Sequence, residues 1–264
     1  MSWVGAVDYR RARPVRAGAQ PCRDYGKLEK LAGGLMIGAV ADGADGAALS
    51  HIGAKTAVRS AIATLRGASG EIETVFSKAD EADATALFER VLDNARVELQ
   101  ATAFNHVART NELACTLIAF VAGPAGLAAM QVGAGVIVCR APGGAYDLLF
   151  RPCAKGDASE PDDLLTETAP KTMQVCVRKT PVEFVCAATG GLQPVSLSRS
   201  GGGLRDPFFR TLDSYAAGAF DDGDVHRGIR EFLRSNKLTK QVPGDITLAL
   251  CRYKAKAAQH AAAD

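Results

Sequence analysis

Two short segments near the start of the chain carry carboxylates that are candidates for a functional site. Cys22-Arg23-Asp24 comes first, and Asp42-Gly43-Ala44-Asp45-Gly46 then follows an apolar run, 35–41. An apolar run that stops at Asp-Gly indicates a buried strand that delivers a carboxylate to the end of a sheet. An ordinary turn role is the alternative interpretation of both Asp24 and Asp42.

Later segments complete a series of motifs. They are Ala114-Cys115-Thr116-Leu117, Gln131-Val132-Gly133-Ala134-Gly135, Ala187-Ala188-Thr189-Gly190-Gly191-Leu192-Gln193 and Gly244-Asp245-Ile246-Thr247-Leu248. In this order and at these separations, the series resembles the protein phosphatase 2C family, the metal-dependent Ser/Thr phosphatases, and in particular its bacterial branch. The resemblance extends from about Val15 to Tyr253, which is nearly the whole chain.

The resemblance implies an αββα sandwich with two Mn²⁺ or Mg²⁺ ions in a cleft at one end of the sheets. Aspartates at strand ends would hold the ions, and a bridging water would attack the phosphorus. Asp24 corresponds to the end of the family's early acidic pair. Asp42, with the carbonyl of Gly43, corresponds to the residues that bridge and coordinate the metals. Arg16 is a candidate for the arginine that binds the phosphate.

The sequence departs from the family at several metal positions. Arg23 stands where a Glu or Gln is usual, and Ala134, Gly190 and Gly244 stand where the family has aspartates. Each missing carboxylate removes an attraction to a dication of several kcal/mol, at about 4 Å and an effective dielectric near 20. Two ions held by Asp24 and Asp42 alone are therefore not expected. Glycines at 190 and 244 also suggest backbone angles that aspartate tolerates poorly.

Two other aspartates are candidate replacement ligands. Asp45 replaces a family glycine, and Asp245 lies one residue away from the family's position. Because side chains alternate along a strand, Asp245 is expected to point away from the ion unless the strand end is irregular.

The periodicity of apolar residues predicts an α+β domain over 1–253, followed by a frayed tail over 254–264. Predicted helices cover 48–65, 83–108, 207–217 and 224–235. Predicted strands cover 35–41, 113–121, 126–132, 136–141, 146–150, 175–177, 183–188 and 246–253. The strands from 113 to 150 are expected to form one antiparallel meander, and 154–171 a surface loop. Segregated helices and antiparallel strands favour a layered sandwich with the helices outside.

The composition of the chain limits the classes of binding partner that are expected. The chain has 264 residues, 47% hydrophobic, and a formal net charge of +2, so it carries no basic excess for nucleic acid or an anionic membrane. No apolar run reaches about 18 residues and the start has no apolar signal region, which predicts a cytoplasmic protein, expected to be a monomer. The seven Cys form no Cys-x-x-Cys pair. Five of them lie in apolar runs and are expected to be reduced core thiols: Cys115, Cys139, Cys176, Cys186 and Cys251.

Two functional hypotheses follow. The preferred one is a phosphatase-like protein whose dinuclear site is largely dismantled and which acts by binding a phosphoprotein or a protein kinase. The alternative is an active Mn²⁺- or Mg²⁺-dependent Ser/Thr phosphatase whose unusual ligand set recruits Asp45, Asp245 or the loop carboxylates Glu160, Asp162 and Asp163. The missing carboxylates are equally compatible with natural loss and with engineered substitutions.

Overall fold

Two antiparallel sheets of five strands each form the centre of the protein. The computed structural model describes residues 2–12, 21–78, 81–151, 163–198 and 203–254. Sheet 1 has the strand order β1-β10-β9-β6-β7, and sheet 2 has the order β2-β3-β4-β5-β8. The strands are β1 (Ser2–Arg10), β2 (Tyr25–Lys30), β3 (Met36–Ala41), β4 (Leu117–Gly123), β5 (Gly126–Val132), β6 (Gly135–Arg140), β7 (Tyr146–Leu148), β8 (Gln174–Arg178), β9 (Phe184–Thr189) and β10 (Ile246–Lys254).

Helices cover the outer face of each sheet. They are α1 (Ser50–Gly67), α2 (Ser69–Lys78), α3 (Glu81–Asn105), α4 (Ala169–Thr172), α5 (Gln193–Ser196), α6 (Asp206–Gly218), α7 (Asp222–Arg234) and α8 (Asn236–Gln241). Helices α1 and α3 pack together on sheet 2, whereas α6 and α7 pack on sheet 1. In the described part of the chain, no helix is long and apolar enough to cross a membrane.

Three hydrophobic clusters separate the four layers. One lies between sheet 2 and its helices, one between the two sheets, and one between sheet 1 and its helices. Strand β3 shows how alternation builds them, because Ile37 and Ala39 face the helices whereas Met36 and Val40 face the other sheet. Full burial of each large apolar side chain in these layers contributes roughly 1.5–3 kcal/mol. The predicted αββα sandwich is confirmed.

The predicted helices over 48–65, 83–108, 207–217 and 224–235 correspond to α1, α3, α6 and α7, with ends that shift by a few residues. The sequence did not predict α2, α8, β1 or β2. Strands β1 and β2 lie at sheet edges, and β2 carries a mostly polar, half-buried sequence. A strand of that kind has no continuous apolar run to mark it.

The prediction of one meander was wrong. The hairpin of β4 and β5 lies in sheet 2, whereas β6 and β7 lie in sheet 1. The chain changes sheets at Gly133-Ala134, where Gly133 has a φ of 79°. All residues of β4 and β5 are buried, and apart from Gln131 their sequence is apolar on both faces. Without polar alternation, the strand sequences do not show which sheet a hairpin joins.

Smaller predictions have mixed outcomes. The strand expected from 113 begins at Leu117, because Thr110–Leu113 forms a 3₁₀ turn. Lys254 ends β10 and its Nζ donates a 3.0 Å hydrogen bond to the carbonyl of Ala217, so it is not part of a tail. The other tail residues, 255–264, and the first half of the expected loop, 154–162, lie outside the described residues. The second half is not a surface loop throughout, because Leu164 and Ala169 are buried and α4 begins at Ala169. The cysteines predicted to be core thiols are buried and unbridged: Cys115, Cys139, Cys176, Cys186 and Cys251.

Candidate metal cleft

The layer between the two sheets is apolar in its middle and becomes polar at one end. Side chains two residues apart on a strand point to the same face. The inter-sheet face therefore continues at the positions two residues after Val40, Ala129 and Ala187. It also continues two residues before Ile118 and Ala249. The five positions reached in this way are polar and all lie at the same end. They are Asp42, Gln131, Thr189, Thr116 and Thr247. The fold therefore gathers polar side chains from both sheets at the end where the sequence predicts a metal cleft.

Asp24 is buried at this polar end. The residue is only 3% exposed. Its Oδ2 accepts a 2.5 Å hydrogen bond from the hydroxyl of Thr189, and that hydroxyl accepts a 2.9 Å hydrogen bond from the amide of Thr247. The other oxygen, Oδ1, is buried and has no hydrogen-bond partner among residues that the structure describes. A buried acceptor without a partner is costly, so this oxygen is open to an additional ligand.

Asp24, which is buried, and Asp42, which is half-buried, form an acidic pair. Burial, and then the charge of Asp42, raise the pKa of Asp24 well above its usual range. Burial also raises the pKa of Asp42, although the neighbouring Asp24 carboxyl and the positive charge of Arg23 oppose that shift. Two buried carboxylates close together are unfavourable unless a proton or a cation compensates their charge. The pair thus meets the first requirement of a cation site.

The backbone carbonyl of Gly43, next to Asp42 in the chain, is a further candidate ligand. It forms an isolated antiparallel bridge with Cys115, in which the amide of Ala44 donates to the carbonyl of Ala114 and the amide of Thr116 donates to the carbonyl of Asp42, each at 2.9 Å. The bridge therefore does not use the carbonyl of Gly43 itself. A Cβ at this position would lie 2.8 Å from Cβ of Ser50, which explains the glycine.

The positions at which the resemblance predicts aspartates converge on this pair. A Cβ built on Gly190 would lie 3.1 Å from the Cβ of Ala134, and one built on Gly191 would lie 2.6 Å from the carbonyl oxygen of Asp245. Thr189 links this group to Asp24. The turns that contain Ala134, Gly190 and Gly244 are thus brought together beside the acidic pair, as expected. Their side chains supply no carboxylate.

The two candidate replacement ligands make other contacts. Asp245 accepts hydrogen bonds from two backbone amides, those of Ala12 at 2.6 Å and of Arg23 at 2.8 Å. Asp45 is an exposed residue whose side chain is 91% accessible and is ion-paired with the guanidinium of Arg23. The Nε of Arg23 also lies 3.7 Å from Oδ2 of Asp245. The arginine at the unusual position therefore brings positive charge to the mouth of the cleft. Arg16 lies outside the described residues.

Comparisons with known proteins identify the family. The sequence model described as Protein phosphatase 2C matches residues 14–234. The chain belongs to the protein phosphatase 2C family. No curated protein matches the sequence significantly.

Solved structures share the phosphatase 2C fold over almost the whole chain. A bacterial serine phosphatase aligns with a TM-score of 0.65 and 8% identity, covering 96% of this chain and 99% of its own. RsbX in complex with magnesium aligns at 0.55 and 13%, covering 96% of each chain. A structure from the bacterial stressosome, described as a modular system adapted to control secondary messenger signaling, aligns at 0.59 and 14%, covering 96% and 100%. Identities this low are evidence for the fold alone.

The residues of the cleft match the phosphatase 2C metal site only in part. Within the described ranges, no group of three or more His, Cys, Asp or Glu side chains is arranged to hold a metal ion. Three groups nevertheless offer oxygen ligands suited to a single cation: Oδ1 of Asp24, the carboxylate of Asp42 and the carbonyl of Gly43. The ligand types suit Mn²⁺ or Mg²⁺.

Sequence reasoning missed the part played by Thr189. The residue was noted within a motif, but the motif gave no sign that its hydroxyl would bind Asp24. It also missed Cys22, whose thiol pKa is raised to about 12 by burial and then by the charges of Asp24 and Asp245. A thiol with such a pKa stays protonated and is a poor nucleophile or metal ligand.

Proposed function

We propose that this member of the protein phosphatase 2C family acts in phospho-signalling as a binding protein, with a dinuclear site that is largely dismantled. One observation carries the proposal: the turns that converge on Asp24 and Asp42 bear Ala134, Gly190 and Gly244, none of which has a carboxylate. Two dications a few ångströms apart repel each other strongly, and only converging carboxylates offset that repulsion. The acidic pair alone offers too little negative charge for two ions.

A single cation is compatible with the remaining donors. Asp24, Asp42 and the carbonyl of Gly43 would hold it, and when bound it would supply Lewis-acid stabilisation of a phosphoryl oxygen. The hydroxyl of Thr189 orients the Asp24 carboxylate, and the Asp42 amide is held by a 3.1 Å hydrogen bond to the hydroxyl of Thr116. Both aspartates are thus positioned by the fold before any ligand arrives.

The cleft also suits recognition of a phosphorylated protein. Arg23, which replaces an acidic or amide residue of the family, has a half-exposed side chain beside the acidic pair. The guanidinium of an arginine can donate two parallel hydrogen bonds to a phosphate group, which makes arginine well suited to bind phosphate. The proposed partners are a phosphoprotein or a protein kinase, and the stressosome neighbour supports a place in a signalling assembly.

The second candidate function is an active metal-dependent Ser/Thr phosphatase. The unpartnered Oδ1 of Asp24 favours it, because a buried carboxylate oxygen without a hydrogen bond fits a retained metal ligand. Asp45 or Asp245 would then have to leave its present partners to complete the site. Glu160 and Asp162 lie outside the described residues, and Oδ1 of Asp163 accepts a 2.6 Å hydrogen bond from the amide of Leu165.

Calorimetric titration of the full chain with Mn²⁺, followed by hydrolysis of an aryl phosphate, tests the proposal. We expect at most one weakly bound ion, abolished by Asp42→Asn, and no hydrolysis above the level of that variant. Asp93→Asn, at an exposed aspartate of α3, is the matched control and should bind Mn²⁺ like the unmodified protein. Tight binding of two ions, with turnover that Asp42→Asn removes, would establish the active phosphatase instead.

A further inference from the structure

A second polar site lies at the opposite end of sheet 1 from the Asp24–Asp42 cleft. Arg140 ends β6 and Arg252 lies near the end of β10, and both strands place these arginines opposite Phe184 of β9. Thr189, which contacts Asp24, is at the other end of β9, about 16 Å away at the usual rise of a strand. The two sites are therefore separate.

Strand alternation turns both arginines toward the helices. Val136 and Val138 of β6 lie in the cluster between sheet 1 and its helices, and so do Leu248 and Leu250 of β10. The next position on the same face is an arginine in each strand. Helix α6 covers this end of the sheet, and its Asp213 is 5% exposed. The alternation therefore brings two guanidinium groups and one carboxylate together under a helix.

Asp213 fixes the arginines in place. Its Oδ2 accepts hydrogen bonds from Nε of Arg140 at 2.8 Å and from the hydroxyl of Tyr146 at 3.0 Å, while Oδ1 is paired with Arg252. Glu183 forms ion pairs with both arginines. Burial and then Asp213 raise the pKa of Tyr146 to about 12, so its hydroxyl remains a donor. Guanidinium groups held in this way lose little side-chain entropy when a ligand arrives.

A surface cavity of about 340 Å³ opens over this cluster. Arg210 of α6 stands at its edge and also lines an adjoining cavity of about 690 Å³. The Arg210 side chain is exposed, and no acidic residue within the described ranges forms an ion pair with it. The hydroxyl-bearing Ser214 lies beside it in both cavities. Three arginines and one carboxylate thus line the smaller cavity, and because Glu183 also pairs with Arg140 and Arg252, the cluster keeps one net positive charge, that of Arg210.

We propose that this cavity, named here the α6 cavity, binds a phosphate monoester dianion. Arg210 would contact the phosphoryl group directly and Ser214 would donate a hydrogen bond to it, while Arg140 and Arg252, balanced by Asp213 and Glu183, hold fixed guanidinium groups in the lining. The volume is in the range of small-ligand sites. A phosphoryl group offers three acceptor oxygens, so Arg210 and Ser214 can both donate to it. The inference rests on the proposed function only in taking phosphorylated molecules as the ligands, because the cleft has no part in this site.

The experiment is calorimetry of the full chain in EDTA with inorganic phosphate, O-phospho-L-serine, and a phosphoserine peptide beside its unphosphorylated form. We expect the phosphorylated probes to bind and Arg210→Ala to weaken binding about tenfold, as loss of a charge-assisted hydrogen bond implies. Arg234→Ala, at an exposed arginine of α7, is the control and should bind as the unmodified protein does. Preference for the peptide identifies a phosphoprotein source, and equal affinity for phosphoserine identifies a small-molecule source.

Two outcomes would overturn this proposal. One is that no phosphorylated probe binds in EDTA at millimolar concentration, and the other is that Arg210→Ala binds as tightly as the unmodified protein. Because Arg210 is exposed, urea unfolding of the variant should match the unmodified protein and exclude a folding defect. Neither outcome depends on Mn²⁺ binding, so failure here is distinguishable from failure of the proposed function.

Discussion

The hydroxyl of Thr189 joins the last strand position of β9 in sheet 1 to Asp24, which precedes β2 in sheet 2, through a 2.5 Å hydrogen bond. The same hydroxyl accepts from the amide of Thr247 at 2.9 Å. The buried Thr189 side chain therefore satisfies a carboxylate oxygen of Asp24 and the amide of Thr247, and it links three parts of the chain. The contact also sets the direction of the Asp24 carboxylate and leaves its other oxygen open to a ligand.

Replacing Thr189 with valine should destabilise the protein. The change keeps the shape but leaves Oδ2 of Asp24 and the amide of Thr247 without partners, and each buried unsatisfied group costs about 1–3 kcal/mol. We expect the free energy of unfolding in urea to fall by about 2 kcal/mol or more. Thr247→Val is the matched control, because its buried Oγ1 has no hydrogen-bond partner in the described structure. A Thr189→Val variant as stable as that control would contradict the assignment.

The stability of the metal-free protein should depend on pH through the acidic pair. The pKa values of Asp24 and Asp42 are raised in the folded state, so the folded protein binds more protons than the unfolded chain above the ordinary value of 3.8. The stabilising contribution is therefore complete below that value and is lost as pH rises through the raised pKa values. Urea unfolding in EDTA from about pH 4 to about pH 8 should show this decline. The decline in the free energy of unfolding should be smaller in Asp42→Asn and unchanged in Asp93→Asn. A decline in Asp42→Asn as large as that of the unmodified protein would contradict the role of the acidic pair.

Asp245 and Asp45 should differ sharply when substituted. Asp245 accepts hydrogen bonds from the amides of Ala12 and Arg23, so Asp245→Ala should lower the free energy of unfolding by about 2 kcal/mol. Asp45 is exposed, and Asp45→Ala should change the free energy of unfolding by less than about 0.5 kcal/mol. Chemical denaturation of the two variants measures both effects. If either substitution instead removes Mn²⁺ binding without altering stability, that residue is a metal ligand.

Restoring the family's aspartates should restore metal binding. The backbone permits it, because neither Gly190 nor Gly244 has a positive φ, contrary to the expectation from sequence. A Cβ on Gly244 meets no atom within 4 Å, whereas one on Gly190 lies 3.1 Å from the Cβ of Ala134 and requires a small shift. Ala134→Asp, Gly190→Asp and Gly244→Asp together should raise Mn²⁺ affinity and aryl phosphate hydrolysis well above the unmodified protein. Ala134→Asp alone should fold normally and gain little.

The triple variant has one decisive outcome. If it unfolds in urea like the unmodified protein but gains neither Mn²⁺ binding nor hydrolysis, the cleft differs from the family in shape as well as in charge. The proposal that missing carboxylates account for the dismantled site would then be wrong.

Val107 should limit stability at the end of α3. It has a φ of 52°, a left-handed conformation that costs a β-branched residue about 1–2 kcal/mol, and it is 96% exposed. Val107→Gly should therefore raise the free energy of unfolding by about 1 kcal/mol. Val97→Gly, inside α3 and 60% exposed, should lower it by a similar amount. Thermal and urea unfolding of both variants would show opposite signs, and the same sign in both would contradict the explanation.

Local patterns in the sequence determined much of the fold. The spacing of apolar residues predicted α1, α3, α6 and α7 and most of the strands, because each pattern reflects which face of a single element is buried. The motif that ends at Asp42-Gly43 placed a carboxylate at a strand end, and the absence of carboxylates at 134, 190 and 244 was visible in the letters alone.

The tertiary structure decided what local spacing does not encode. Strands β4 to β6 are buried on both faces, so only packing distributed them between the two sheets. Thr189 binds Asp24 across 165 positions of the chain, and Asp245 binds Arg23 across 222. Such contacts depend on how the layers stack, whereas sequence patterns report the burial of one element at a time. Which carboxylates face the cleft, and which are held by arginine or by backbone amides, was therefore settled only when the sheets came together.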